Sequence, residues 1–99
     1  MRVIAKRTLR TFWQQHPGAR AALQAWHAEM SAAEFASPNE LKAYYPSASI
    51  VGDGRVVFNI KGNRFRLIVR IAYRPRPQLC YIRFVGTHAE YDKIDATTI

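Results

Sequence analysis

The chain has 99 residues, of which 48% are hydrophobic, and it carries a formal net charge of +8. This length and apolar content predict one folded domain spanning residues 1–99, with a single modest core, and exclude a disordered chain. No stretch resembles a signal peptide or is long enough to cross a bilayer, and a single cysteine excludes a disulfide framework. The cytoplasm is therefore the expected location.

The positive charge is unevenly spread along the chain. Residues 54–99 contain nine Lys and Arg against three Asp and Glu, whereas residues 1–53 contain six against four. A concentration of basic residues predicts a polyanionic partner. A membrane surface is less favoured, because no segment combines a face rich in Lys and Arg with a large apolar face.

The first residues predict a short strand followed by two amphipathic helices. Residues 2–4 suit the strand. Apolar and aromatic side chains recur at helical spacing over residues 5–16, and Pro17-Gly18 ends that helix. The second helix spans about residues 19–33. The two tryptophans lie on the apolar stripes of these helices, so we expect them in the core.

A shorter element is predicted between the helices and the strands. Ser37-Pro38-Asn39-Glu40 combines a capping serine, a proline at the first helical position and a glutamate that would complete a capping box. It predicts a short helical turn. Residues 47–54 are predicted to form a loop with its turn at Gly52-Asp53-Gly54.

The second half of the chain alternates apolar and polar residues in three runs, which is typical of strands. The runs cover residues 56–60, 64–73 and 80–85. Gly62-Asn63 is a hairpin signal, and an even number of loop residues places apolar side chains opposite one another, with Ile60 facing Phe65.

Two prolines break the chain between the second and third runs, and an even loop is again required. One such register places Ile71 opposite Ile82 and Arg70 opposite Arg83. The prediction is a three-stranded antiparallel meander with residues 64–72 in the centre.

The two sides of this meander differ in character. One is apolar, includes Cys80, Ile82 and Phe84 of the third strand, and is expected to be covered by the helices. The other side, called the basic face below, carries Asn59, Arg64, Arg66, Arg70, Tyr81 and Arg83. Like charges on one side of a sheet repel each other, so a bound anion would stabilise this face.

The segment after the third strand carries a further motif. Thr87-His88-Ala89-Glu90 has the pattern of a capping box and predicts a turn from the sheet into a short helix. His88 then begins the helix, among backbone N–H groups that favour an anion, and Tyr91 lies one turn further on. Two interpretations are equally favoured: a proton-transfer pair beside a phosphate, or a helix-start histidine and a packed tyrosine.

Several segments together are distinctive: Phe58-Asn59-Ile60, Gly62-Asn63, Arg66-Leu67-Ile68, Tyr81-Ile82-Arg83 and Thr87-His88-Ala89-Glu90-Tyr91-Asp92. They resemble the HigB-type toxins of bacterial type II toxin–antitoxin systems, and the resemblance covers nearly the whole chain. It implies an α+β, RelE-like fold, with two N-terminal helices on one face of a mainly antiparallel sheet and a short C-terminal helical turn. It also implies ribosome-dependent cleavage of mRNA and inhibition by a HigA-like helix-turn-helix antitoxin in a hetero-oligomer.

The resemblance leaves the catalytic roles open, so they are assigned by chemistry. RNA cleavage without a metal uses the 2′-hydroxyl as nucleophile and needs a base, an acid and cations on the phosphorane. Arg66 and Arg83 are assigned to the phosphate, His88 to proton transfer, and Tyr91 to proton transfer or base stacking. Contacts with the rest of the RNA are expected from Lys61, Asn63, Arg64, Arg70, Arg74, Arg76 and Tyr81.

Neither a metal site nor a cofactor is predicted. Glu90, Asp92 and Asp95 are clustered in the sequence, but only His88 accompanies them and the surrounding charge is positive. Two alternatives to a nuclease use the same basic face. One is a non-catalytic module that binds RNA or DNA, and the other is a module that docks an acidic protein.

Overall fold

The computed structural model describes all residues from Met1 to Ile99. Its elements, in chain order, are β1 (Arg2–Ile4), α1 (Lys6–Gln15), α2 (Arg20–Ala32), α3 (Pro38–Tyr44), β2 (Ser49–Ile50), β3 (Arg55–Ile60), β4 (Phe65–Ala72), β5 (Leu79–Thr87) and α4 (His88–Tyr91), with a 3₁₀ turn (Pro17–Ala19) between α1 and α2. The sheet order is β1-β5-β4-β3-β2. β1 runs parallel to β5, and the other neighbours are antiparallel. The predicted α+β class is confirmed.

The core lies between the helices and the apolar side of the sheet. Trp13 of α1 and Trp26 of α2 are both buried in it, as predicted, and the strands contribute Val56, Phe58, Ile60, Phe65, Leu67, Val69, Ile71 and Cys80. Fully burying an aliphatic or aromatic side chain contributes roughly 1.5–3 kcal/mol, so this contact holds the helices on the sheet. Burial also raises the pKa of the Cys80 thiol to about 12, which fits the predicted packing role.

The first hairpin has the predicted register. Ile60 pairs with Phe65, and Phe58 pairs with Leu67. Lys61 and Gly62, in the connecting turn, adopt positive φ angles of 53° and 64°. Positive φ suits glycine and reverses the chain within a few residues, which agrees with the hairpin signal in the sequence.

The loop of the second hairpin, residues 73–78, has an even number of residues as predicted, but the register given for it is wrong. Ile71 pairs with Cys80, and Arg70 pairs with Tyr81 rather than with Arg83. The loop is fixed by the buried side chain of Gln78, which accepts from the N–H of Phe35 (3.1 Å) and donates to two backbone carbonyls. This contact joins residues that are far apart in the sequence, so alternation within the strands could not predict it.

A β-bulge in β5 changes which side chains face the core. Val69 pairs with Ile82 but Ile68 pairs with Phe84, so Arg83 is an extra residue between them. Val85 consequently packs against the core. Phe84, which the alternation assigned to the apolar side, instead turns to the basic face.

Part of the basic face is covered within the protein. Val57 and Ile68 point to this side and are buried, although they are separate from the core beneath the helices. The C-terminal segment lies here, because Arg55 and Arg83 both donate through Nε to the carbonyl oxygen of Ile99, at 2.9 and 3.4 Å. The C-terminal residue therefore covers the part of the face beside Arg55 and Arg83.

Two shorter predictions need correction. Ser49 and Ile50, in the predicted loop 47–54, pair with Val57 and Val56 as the edge strand β2. Two residues show no periodicity, so this strand was not predictable. Ser37 caps α3 by accepting from the N–H of Glu40 at 3.3 Å, but the reciprocal bond of a capping box is absent.

None of the helices has the length and apolar character needed to cross a bilayer.

Candidate active site

Arg66 is a buried cation without an acidic partner. It lies in β4 opposite Gly86, and only 9% of the residue is exposed. Its guanidinium donates to the carbonyl oxygens of Asn63 (3.2 Å) and Phe65 (3.4 Å) and to the side-chain oxygen of Asn63. It takes part in none of the ion pairs of the protein. A buried charge of this kind is costly, so the site is suited to binding an anion.

Tyr91 packs over this guanidinium. The Cζ atom of Arg66 is 5.6 Å from the centre of the tyrosine ring, which is a cation–π distance. The ring is half-buried and belongs to α4, so the position of this short helix determines the contact.

The predicted capping box holds the start of α4. The carboxylate of Glu90 accepts from the N–H of Thr87 at 2.8 Å, and the hydroxyl of Thr87 accepts from the N–H of Glu90 at 3.2 Å. Hydrogen bonds from the backbone and side chain of Thr87 hold the pKa of Glu90 below its ordinary value of 4.5. Glu90 therefore has a structural role, as the sequence predicted.

His88 lies at the same end of the sheet as Arg66. Its N–H donates to the carbonyl oxygen of Arg64 at 3.2 Å, and its Nδ1 is 3.2 Å from a carboxylate oxygen of Asp92. The imidazole is 46% exposed and accessible to a substrate. The expectation of free N–H groups at this helix start is only partly met, because the N–H groups of His88 and Glu90 already have acceptors.

At the opposite end of the basic face, Arg55 and Arg70 are paired with Asp53, and Arg83 lies between that end and Arg66. Arg55 donates to Asp53 at 2.9 Å, and Arg70 donates to the carbonyl oxygen of Asp53 at 3.2 Å. Arg83 is held through Nε by Ile99, while its two terminal nitrogens make no hydrogen bond within the protein. These arginines are not gathered around Arg66.

The residues predicted to contact RNA fall into two groups. Asn63 and Arg64 lie in the β3–β4 turn beside Arg66, and Arg64 packs over the ring of Phe65 with its Cζ 5.9 Å from the ring centre. Lys61 is in the same turn, but its ammonium lies beside Gly18 on the helical side.

The second group lies towards the other end of β4, whose eight residues span about 25 Å. Tyr81 is half-buried on β5, paired with Arg70. Arg74 and Arg76 are exposed in the β4–β5 loop, where Arg76 forms an ion pair with Glu34 at 2.8 Å and Arg74 forms none. The structure thus brings Asn63, Arg64, Arg66, His88 and Tyr91 together at one end.

Two residues of the basic face were missed by the sequence prediction. Arg55 shares its strand face with Asn59, so the alternation in β3 could have identified it. Phe84 reaches this face only because of the bulge, for which the alternation gave no signal. No group of three or more His, Cys, Asp or Glu side chains is close enough to hold a metal ion.

The chain matches a family model described as HigB_toxin, RelE-like toxic component of a toxin-antitoxin system, over residues 19–94. It is 33% identical over 94 residues to the mRNA interferase toxin HigB of Escherichia coli (strain K12). It has the same identity to the mRNA interferase HigB of Escherichia coli O157:H7 and to that of Shigella flexneri. Each alignment covers 93% of this chain and 88% of the relative. The predicted resemblance is confirmed: the chain belongs to the HigB family of RelE-like toxins, the toxic components of toxin–antitoxin systems.

Proposed function

We propose that this toxin is an endoribonuclease that cleaves mRNA and thereby inhibits translation. Its HigB relatives are mRNA interferases by name. The observation that carries the proposal is the buried guanidinium of Arg66, which has no acidic partner and lies against Tyr91 at the end of the sheet where His88 is exposed. Such a site can bind a phosphodiester and place proton-transfer groups beside it.

In the proposed reaction, the 2′-hydroxyl of one nucleotide attacks its own 3′-phosphate, and the 5′-oxygen of the next nucleotide leaves. The products are a 2′,3′-cyclic phosphate and a free 5′-hydroxyl. Arg66 neutralises the negative charge that develops on the phosphorane. His88 transfers one of the two protons through Nε2, because Nδ1 faces Asp92, and Tyr91 is the candidate for the other proton or for base stacking.

The remaining predicted residues are assigned to contacts with the flanking nucleotides. Asn63 and Arg64 adjoin Arg66 in the β3–β4 turn and would hold the RNA backbone there, with Lys61 on the outer side of that turn. Arg83 has free terminal nitrogens for a neighbouring phosphate. Towards the other end of the sheet the candidates are Arg70, Tyr81 and Arg74, whereas the ion pair with Glu34 makes Arg76 less available.

Membership of a toxin–antitoxin family implies an antitoxin partner. We propose that this antitoxin is a HigA-like helix-turn-helix protein that forms a hetero-oligomer with the toxin. We also propose that the substrate is mRNA on the ribosome, in the cytoplasm, and that cleavage needs no metal ion. The net charge of +8 supports a polyanionic target of this kind.

The test is a cleavage assay on an mRNA that is being translated. Wild type, His88→Ala and Arg66→Met are added with ribosomes, the wild type also without ribosomes, and the new RNA ends are mapped. We expect ends from the wild type only when ribosomes are present. Losing a proton-transfer group typically lowers the rate about 10²- to 10⁴-fold, and losing the phosphate cation is expected to act similarly.

His27→Ala is the matched control, because His27 is a half-buried histidine of α2 in the helical layer. It should cleave at the wild-type rate. Folded wild type that binds RNA but forms no new ends would support a non-catalytic binding module instead. Unchanged cleavage by folded His88→Ala would transfer the proton-transfer role to Tyr91.

A further inference from the structure

Phe84 differs from every other phenylalanine of the chain. The sequence contains five, and the remaining four, Phe12, Phe35, Phe58 and Phe65, all belong to the buried core. Each of those four rings also packs against another aromatic ring. Phe84 is half-buried, lies outside the core and has no aromatic neighbour. Packing in the core beneath the helices therefore does not explain its position.

The bulge in β5 is the reason that this ring faces the basic side. Ile82, before the bulge, packs against the core, and Phe84, after it, pairs with Ile68 on the opposite side. Without the extra residue Arg83, the alternation would place the ring beneath the helices. Bulges in strands commonly redirect a side chain next to a functional site.

Gly86 gives the ring its place beside Arg66. A Cβ atom at Gly86 would lie 2.5 Å from Cζ and 3.0 Å from Cε1 of Phe84, so the outer edge of the ring lies over the glycine. Gly86 is the pairing partner of Arg66 in β4. The buried guanidinium thus has the Tyr91 ring against it, and the Phe84 ring over the residue opposite it.

We propose that Phe84 is a stacking surface for a base of the mRNA, next to the phosphate bound at Arg66. This inference rests on the proposed function, because it adds a base contact to the same site. Every nucleobase has an apolar face that can stack on an aromatic ring, so stacking contributes affinity whatever the sequence. A ring displaced from the core to the rim of a phosphate site fits this role.

The experiment compares Phe84→Leu with Phe84→Tyr. Leucine preserves the apolar cover over Ile68 but removes the ring, whereas tyrosine preserves the ring. Cleavage of translated mRNA is measured by mapping the new RNA ends. Binding of a short fluorescent RNA is measured with and without an abasic nucleotide at the position that stacks. That position is found by moving the abasic nucleotide along the RNA. Loss of one stacked base corresponds to about a 5- to 150-fold loss of RNA affinity.

We expect Phe84→Leu to lose activity and RNA affinity within that range, while Phe84→Tyr stays near the wild type. With the abasic RNA, wild type and Phe84→Leu should bind equally, because neither can form the stack. A second variant, Gly86→Ala, should weaken binding in the wild-type background by displacing the ring. Its Cβ would also lie 3.2 Å from Oε1 of Glu90, so a smaller effect should remain in the Phe84→Leu background.

The outcomes separate this inference from the proposed function. A wild type that binds RNA through Phe84 but never cleaves it would refute the nuclease and leave the stacking surface standing. Wild-type cleavage and binding by Phe84→Leu, with the same ends, would overturn the stacking role even if the protein is a nuclease. Tyr44→Leu, an exposed aromatic of α3, is the control for loss of an unrelated ring.

Discussion

Two arginines on one side of the sheet show how a single residue can serve either stability or function. Arg55 is 7% exposed and Arg66 is 9% exposed. Arg55 pairs with Asp53 at 2.9 Å and donates to the carbonyl oxygen of Ile99, whereas Arg66 has only neutral acceptors. A buried charge with its partners contributes to the fold, and one without an acidic partner costs stability unless an anion is bound.

These differences predict opposite results for the same substitution. Arg66→Met should abolish most cleavage while leaving the free energy of unfolding unchanged or higher, because an uncompensated buried charge is removed. Arg55→Met should lower the free energy of unfolding by about 1–2 kcal/mol. This is less than the ~3–5 kcal/mol expected on breaking a fully buried pair, because the Asp53 side chain is 70% exposed. Urea unfolding in phosphate-free buffer measures both.

A second measurement connects Arg66 to its ligand. Added inorganic phosphate or pyrophosphate should raise the melting temperature of the wild type and of Arg55→Met, because an anion that binds only the folded protein stabilises it. Arg66→Met should not respond. Equal stabilisation of all three proteins would mean that the anion binds elsewhere, and that the guanidinium of Arg66 serves the fold.

At the scale of an element, α4 carries both candidate proton-transfer residues on a single turn of helix. Four residues are too few for a helix to be stable alone, so its cap and its contact with the sheet must hold it. The bonds between Thr87 and Glu90 supply the cap. Because the pKa of Glu90 is lowered by these bonds, its ionised form stabilises the folded state.

The stability of this cap should therefore depend on pH. The contribution of Glu90 is fully present above its ordinary pKa of 4.5 and is lost as the pH falls through the lower folded-state pKa. Glu90→Gln, which keeps the side-chain oxygen, should be less stable than the wild type at pH 7, and the difference should vanish in strong acid. Urea unfolding across this pH range measures it.

Thr87 tests the other half of the cap. Thr87→Ala should cost about 1 kcal/mol at neutral pH, and Thr87→Ser should cost much less because it keeps the hydroxyl. If the stability gap between Glu90→Gln and wild type stayed constant with pH, the carboxylate charge would have no part in the cap. Loss of cleavage by Thr87→Ala beyond its loss of stability would show that α4 positions His88 and Tyr91.

The elements also show what the sequence could predict and what it could not. Helices, strands and the first hairpin follow from periodicity and turn residues, which act locally. The second register depends on Gln78 bonding to Phe35, a contact between distant residues. The bulge at Arg83 could not be predicted from the alternation, because both faces of β5 in that stretch carry some apolar residues. Contacts between distant residues and one-residue insertions therefore cannot be predicted from local sequence patterns.

At the scale of the whole molecule, the positive charge has two separable effects on RNA binding. The net charge of +8 attracts RNA from a distance, whatever its exact placement. Individual cations that touch phosphates release counterions, and each contributes to the salt dependence of affinity. The charge imbalance and the basic face follow from the sequence, but the sequence does not show which arginines are already paired. Three of them form ion pairs with Asp53 or Glu34.

Arg74 and Arg76 allow these two effects to be separated. They lie in the same loop and are both exposed, and replacing either by glutamine lowers the net charge of the protein by one. Only Arg76 is paired, at 2.8 Å from Glu34. If phosphate contact governs binding, Arg74→Gln should reduce the slope of log affinity against log salt by about 0.7, the value for one contact with single-stranded RNA. Arg76→Gln should reduce it by clearly less.

The slopes are measured by titrating a fluorescent single-stranded RNA at several salt concentrations, with Arg64→Gln as the reference for a contact beside Arg66. A full reduction for Arg64→Gln and none for either loop variant would confine the RNA to the hairpin end of the sheet. Equal reductions for Arg74→Gln and Arg76→Gln would mean that RNA displaces Glu34 from Arg76. Both variants lower the net charge equally, so a larger reduction for Arg74→Gln than for Arg76→Gln would indicate phosphate contact at Arg74, and it would place the RNA along the full length of β4.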